Sequence, residues 1–242
     1  SLNQKLLGNN NLIKKVPYEV LFWYTSFMKT IDTIPTITGL SRERINSVVI
    51  ADNGEPLTDI PFSPKLTFQS GEFLNPRLRS TVTNMLSSAS ELLPDGYRLY
   101  VLTAYRDITM QQKLWDRKSQ IVKKKFWFLP QYFRDRITRK YCALPTGNGP
   151  HQSGGAVDVT IMDPQGELLD MGTSFPAYGE ICHTAYQNLT DSQKSNRLML
   201  YETMIHAGFT NYPLEWWHYC YGDRMWAAYN GLQECCYGAV VE

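Results

Sequence analysis

The chain has 242 residues, a formal net charge of +1, 43% hydrophobic residues and 19% charged residues. That length buries a full core within one domain, and that balance leaves no global field for nucleic acid or for an acidic surface. No run of about 18 apolar residues occurs, which excludes a membrane-spanning helix.

Fifteen Tyr, six Trp and ten Phe point to an aromatic core or to aromatic cleft walls. The five cysteines, Cys142, Cys182, Cys220, Cys235 and Cys236, form no C-x-x-C pair, which argues against a cysteine zinc site. An odd count precludes complete pairing within the chain. Scattered thiols fit a reducing compartment, and one or two bridges in a periplasmic protein stay open. The chain begins at Ser1, compatible with a removed signal peptide, so cytoplasm and periplasm both stand.

In chain order, residues 1–30 read as an extended arm or a short helix. The β-branched run Ile45 to Ala51, followed by Asp52-Asn53-Gly54, carries a hairpin signal. Residues 55–75, with three prolines, read as loop with short strands. Asn75-Pro76 marks a helix start, and Leu78, Val82, Met85, Leu86, Ala89 and Leu93 follow at helical spacing. Tyr97 to Tyr105 reads as a strand. Asp107 caps a helix that runs to about Lys124.

Residues 123–141 interleave seven Lys or Arg with Phe126, Trp127, Phe128, Tyr132, Phe133 and Tyr141. Two readings stand for this insert. It is a lid or helix extension with aromatics packed on the body, or a surface for an anionic polymer or membrane. Pro145 to Gly155 is a Gly/Pro-rich loop, and Ala156 to Ile161 is a strand with Val157, Val159 and Ile161 on one face and Asp158 on the other. Residues 177–187 and 191–207 read as helices, the second capped by Thr190 and ended by Gly208. Phe209 to Tyr221 reads as an aromatic strand. Neither repeats nor a low-complexity linker interrupt the chain. The expectation is one α+β domain over 1–242, with a small antiparallel sheet lining a zinc cleft and helices packed around it.

The chemistry concentrates in two segments. His151-Gln152-Ser153-Gly154-Gly155-Ala156-Val157-Asp158 holds a histidine and an aspartate seven residues apart, with two glycines between them that let the chain double back. Glu215-Trp216-Trp217-His218-Tyr219 adds a carboxylate and a second histidine. Zinc in a hydrolytic site takes three protein ligands and leaves a position open for water. His151, Asp158 and His218 supply three donors, and Glu215 supplies a base. On a regular strand Glu215 and His218 fall on opposite faces, so the reading requires a bulge or a strand end near Trp216-Trp217. His183 and His206 read as structural.

The same segments carry a resemblance. H-Q-S-G-G-A-V-D at 151–158 resembles the H-x-x-G-x-A-x-D signature of zinc D,D-peptidases, and Gly208-Phe209, Tyr212 and Glu215 to Tyr219 resemble their second signature, closest to the D-alanyl-D-alanine dipeptidase branch. Similarity extends through Leu92 to Leu99, Tyr105-Arg106, Gln112, Leu114-Trp115 and Asp170 to Thr173 with Phe175, covering about 45–222. The resemblance implies a bacterial metallopeptidase with one Zn2+ per chain held by His151, Asp158 and His218. It implies Glu215 as catalytic base and Arg106 as the residue that stabilises the transition state. The substrate-facing set is Gly149, Ser153, Phe175, Glu180 and Trp217. Two positions depart from the family pattern. Gly149 stands where a serine meets the substrate carboxylate, and Pro176 stands where an acid meets its ammonium. A Gly149 N–H and a Glu180 carboxylate are the substitutes expected. The implied reaction is hydrolysis of D-Ala-D-Ala or a related D,D-dipeptide, with D,D- or L,D-carboxypeptidase action on muropeptides as the alternative. Neither nucleic acid nor a transmembrane segment is expected, and the chain is expected to be a monomer or a weak dimer.

Overall fold

This computed structural model describes residues 33–240 apart from 69–70, 72–74, 140 and 146–148. The arm or helix expected over 1–30 lies outside the described residues. The elements are α1 (Arg42–Asn46), β1 (Val49–Ile50), β2 (Leu57–Asp59), β3 (Leu66–Phe68), β4 (Arg77–Arg79), α2 (Ser80–Glu91), β5 (Arg98–Thr103), α3 (Ile108–Lys125) and α4 (Gln131–Thr138). They continue with β6 (Ala156–Met162), α5 (Asp191–His206), β7 (Thr210–Asn211), β8 (His218–Cys220), α6 (Arg224–Tyr229) and β9 (Glu234–Cys235).

Five strands form the main sheet in the order β3-β5-β6-β8-β7. β3 runs parallel to β5 and the other pairs are antiparallel, so the α+β class holds and the sheet is mixed at one edge. β5 alternates half-buried with buried residues, as a strand with one core face does. β6 is buried from Ala156 to Ile161 and is the middle strand. Val82 and Leu86 of α2, with Leu200 and Met204 of α5, pack with Leu99, Val101, Val157, Val159, Ile161, Trp216 and Trp217 into one core.

The helix expected from Asn75-Pro76 begins only at Ser80, because Arg77–Arg79 pairs with β2 first. No hairpin forms after Ile50. β1 instead pairs in parallel with β9, near the other end of the chain. Asp52 Oδ1 accepts from the Gly54 N–H of the local turn, while its Oδ2 accepts from Arg79 Nη2 and the Gly238 N–H, all at 2.7 Å, and that turn joins no pair of adjacent strands. The helix expected over 177–187 reduces to a single 3-10 turn, Glu180–Cys182. Gly179 precedes it at φ +100°, a conformation that breaks helical continuity; the Ile181 carbonyl accepts from the Arg197 guanidinium, and the His183 carbonyl accepts from it as well as from the Tyr186 N–H of a separate turn. Asp107 caps α3 through the Met110 N–H, and Thr190 caps α5 in a capping box with Gln193, as read from sequence.

Candidate metal centre

Asp158 lies directly opposite His218 across the β6–β8 ladder, which puts both side chains on one face at neighbouring positions. His218 is the first residue of β8. The chain before it is a turn, closed by the His218 N–H donating to the Glu215 carbonyl at 3.2 Å. The expected strand over 209–221 is therefore two short strands with a turn between, and Glu215 is freed from strand alternation.

His151 arrives from a 3-10 turn, Pro150–Ser153, joined to β6 through Gly154 and Gly155. Gly154 has φ +70°, and a Cβ on Gly155 would stand 2.5 Å from the Tyr221 carbonyl oxygen. Two bonds pin this turn to the end of β5. The Arg106 N–H donates to the His151 carbonyl at 3.2 Å, and His151 Nδ1 donates to the Ala104 carbonyl at 2.9 Å. A carbonyl only accepts, so Nδ1 carries the proton and the neutral ring presents a lone pair at Nε2.

That lone pair faces Asp158, with Nε2 at 3.3 Å from Oδ2, while His218 Nδ1 is 2.9 Å from Oδ1. One donor atom from each of the three residues lies within 4.8 Å of the other two. His218 Nε2 is buried with no hydrogen-bond partner among the described residues. Two imidazoles and a carboxylate converging on one point are a donor set that suits zinc.

The charges divide within this cluster. At Asp158 burial pushes the pKa up, but the two imidazoles of His151 and His218 beside it hold it well below the usual carboxylate range. Burial prevails at His151 and lowers its pKa. At His218 burial is overcome by the Asp158 hydrogen bond and charge, and the pKa rises. Glu215 is raised by burial; His218 opposes, Asp158 adds to the rise, and a hydrogen bond from Trp217 together with the Arg106 charge offsets part of it. A carboxyl lifted towards neutrality beside a three-donor cluster has the character of a general base.

Arg106 follows β5 and lies within electrostatic reach of both His151 and Glu215. Its Nη1 donates to Gln111 Oε1 at 3.1 Å, and its Nε is buried without a partner among the described residues. Asp107 commits its carboxylate to the Met110 N–H and not to the arginine.

The expected substrate-facing residues separate. The Gly149 N–H donates to Gln152 Oε1 at 2.7 Å, within its own turn. Ser153 is buried, donates to the Pro150 carbonyl at 2.6 Å and accepts from the Gly155 N–H, so its hydroxyl is internal to the turn. Glu180 is exposed on the wall of a cavity of about 320 Å³ shared with Pro35, His183, Tyr186 and Leu214, and that lining contains none of the three candidate ligands. Phe175 and Trp217 do meet, edge to face at 5.4 Å, and Trp217 is the residue that bonds Glu215.

Two supporting residues stand outside the sequence-derived set. Gln111 is buried, and besides receiving Arg106 it donates to the Ala143 carbonyl at 2.8 Å. Arg197 is 1% exposed and donates to three backbone carbonyls, Met171, Ile181 and His183, with its guanidinium 5.9 Å from the Trp216 ring centre. Burial lowers its pKa to about 10. The signal for it lies in α5, where Arg197 occupies the same helical stripe as Leu200, Tyr201 and Met204.

The chain is similar to known proteins over most of its length. The D-ala-D-ala dipeptidase family model matches residues 77–235. A D-alanyl-D-alanine dipeptidase of Synechocystis is 30% identical over 216 residues, covering 75% of this chain and 87% of its own length. The Escherichia coli D-alanyl-D-alanine dipeptidase is 29% identical over 141 residues, covering 58% of this chain and 64% of its own. Among solved structures, the vancomycin resistance D,D-pentapeptidase VanY in complex with Zn(II) is 20% identical, covers 77% of this chain and 95% of its own, and superposes at a TM-score of 0.39, too loose to bear on the site.

Proposed function

We propose, for a chain that belongs to the D-ala-D-ala dipeptidase family, that it is a zinc-dependent dipeptidase hydrolysing D-alanyl-D-alanine or a related D,D-dipeptide. His151 Nε2, an Asp158 carboxylate oxygen and His218 Nδ1 would hold the ion. When bound, zinc supplies Lewis-acid polarisation and makes water acidic near neutral pH. Glu215 accepts the proton released as water attacks the peptide carbonyl, and returns it to the leaving amine. Arg106, oriented by Gln111, presents a fixed positive charge to the oxyanion, a contribution commonly of about 3 kcal/mol. The reading is carried by the Glu215 carboxylate, lifted by burial beside the His151, Asp158 and His218 cluster.

Gly149 and Pro176 leave the termini of the dipeptide without the groups that the family pattern supplies. Phe175 and Trp217 are the residues of the expected set that meet beside Glu215, and we assign them to the wall of the cleft. The test is elemental analysis of the purified chain together with amine release from D-Ala-D-Ala, other D,D- and L,D-dipeptides and longer stem peptides. Zinc near one per chain with dipeptide turnover supports the reading. Turnover of stem peptides alone would make the chain a carboxypeptidase, and a metal-replete chain inert on all of them would sink both.

A further inference from the structure

In the insert over 123–141, Tyr141 packs edge to face on Tyr178 of the body at 4.7 Å, but the aromatics nearer its tip do not follow. Trp127 is 76% exposed and Phe128 63% at the turn between α3 and α4, and Tyr132 65% and Phe133 49% in the first turn of α4. The rings lean on each other instead, Trp127 on Phe128 at 6.1 Å and Tyr132 on Phe133 at 5.4 Å, both edge to face. Single exposed aromatics are ordinary, whereas four together at one tip mark a contact surface.

Cations surround this tip. Lys123, Lys124 and Lys125 form the last turn of α3, and Arg134, Arg136 and Arg139 follow in and after α4. Asp135 is the one acid between positions 123 and 139, and it accepts from Gln131 Nε2. In a chain of net charge +1 this hairpin is a local positive island.

We propose that the Phe126–Phe133 tip docks on an anionic lipid bilayer, with Trp127, Phe128, Tyr132 and Phe133 at headgroup depth and the basic residues against the lipid charges. Trp and Tyr favour that interface, and Lys and Arg behind them gain from anionic headgroups. A single-stranded nucleic acid would need open ring faces along a groove. Here Lys125 lies over the Phe126 ring at 5.7 Å and Arg136 over the Tyr132 ring at 6.0 Å. No helix among the described residues is long and apolar enough to cross a membrane, so the contact is peripheral. α3 is about 27 Å long. It carries Gln111 near one end and the tip at the other, so docking leaves the metal cluster clear of the lipid. The inference stands independently of the peptidase reading.

The test is co-sedimentation of the full chain with vesicles of phosphatidylcholine alone and of phosphatidylcholine with an equal part of phosphatidylglycerol. Binding should favour the anionic vesicles by about tenfold and fall as salt rises. Replacing Trp127→Ser with Phe128→Ser should weaken it by about tenfold, and Lys123→Glu, Lys124→Glu and Lys125→Glu together should remove the preference for anionic lipid. Dipeptide turnover without vesicles should not change in either variant. Absence of binding, or binding undiminished by the aromatic substitutions, would overturn the proposal. So would displacement from the vesicles by a single-stranded oligonucleotide at comparable affinity, which would make the tip a general polyanion surface.

Discussion

The candidate ligands are placed by backbone, whereas the loop from Asp170 to His183 is placed mainly by side chains of α5, Gln193, Asn196 and above all Arg197. Asp158 and His218 face each other because β6 and β8 are in register, and His151 is held by two bonds to the backbone at the end of β5. The loop has no strand ladder over most of its length. Its carbonyls at Met171, Ile181 and His183 converge on Arg197, and its Thr173 hydroxyl accepts from the Trp216 indole at 2.9 Å. The two regions meet at Trp216-Trp217, with Trp217 joining Phe175 of the loop to Glu215 of the site. A register tolerates few departures, so it suits a site where donor atoms must converge. A side-chain clamp leaves the loop sequence free to change, and the departures at Gly149 and Pro176 both lie outside the ladder.

The contrast predicts that chemistry and stability separate. The largest effect falls on the backbone-placed side. Glu215→Gln removes the base and should lower kcat/KM by about a thousandfold, about 4 kcal/mol in the transition state, with metal content and thermal unfolding near those of the parent. Steady-state kinetics beside elemental analysis measures this, and parental activity in the variant would remove Glu215 from the reaction.

Arg197→Met tests the clamped side. It leaves three carbonyls, one of them buried, without their charged donor, and should cost about 3 kcal/mol of stability in urea unfolding. Cleavage by protease should begin in the 171–183 loop, while the folded variant keeps its metal. Loss of metal from a folded Arg197→Met chain would show that loop and cluster are one unit, and the contrast would fail.

Much of the site was legible because its donors are sequence-local. His151 and Asp158 stand seven positions apart, and the expected strand end near Trp216-Trp217 is where β8 begins. The supports were not legible, because they connect distant segments through backbone groups. Nothing in Met171, Ile181 or His183 announces that their carbonyls meet one arginine. The Asp52-Asn53-Gly54 turn misled for the same reason: its local chemistry is that of a hairpin, but the partner of β1 comes from Glu234–Cys235. Helix starts were legible where a side chain caps the backbone, at Asp107 and Thr190, and misplaced at Asn75-Pro76, where strand pairing takes the next three residues.

The smallest expected effect lies at the junction of the two regions. Trp217 donates a hydrogen bond that lowers the Glu215 pKa against a larger rise from burial. Trp217→Phe keeps an aromatic ring against Phe175 and removes the only polar hydrogen of the side chain. The Glu215 pKa then rises further, so a higher pH is needed to produce the carboxylate. The acid limb of the kcat/KM profile, which reports the base in the free enzyme, should move to higher pH while the rate on the plateau stays close to the parent. A limb that does not move would detach Trp217 from Glu215 and leave it as core packing. A limb that moves in Arg197→Met as well would show the clamp reaching the base through Trp216-Trp217, because that variant leaves every hydrogen-bonding group on Trp217 in place.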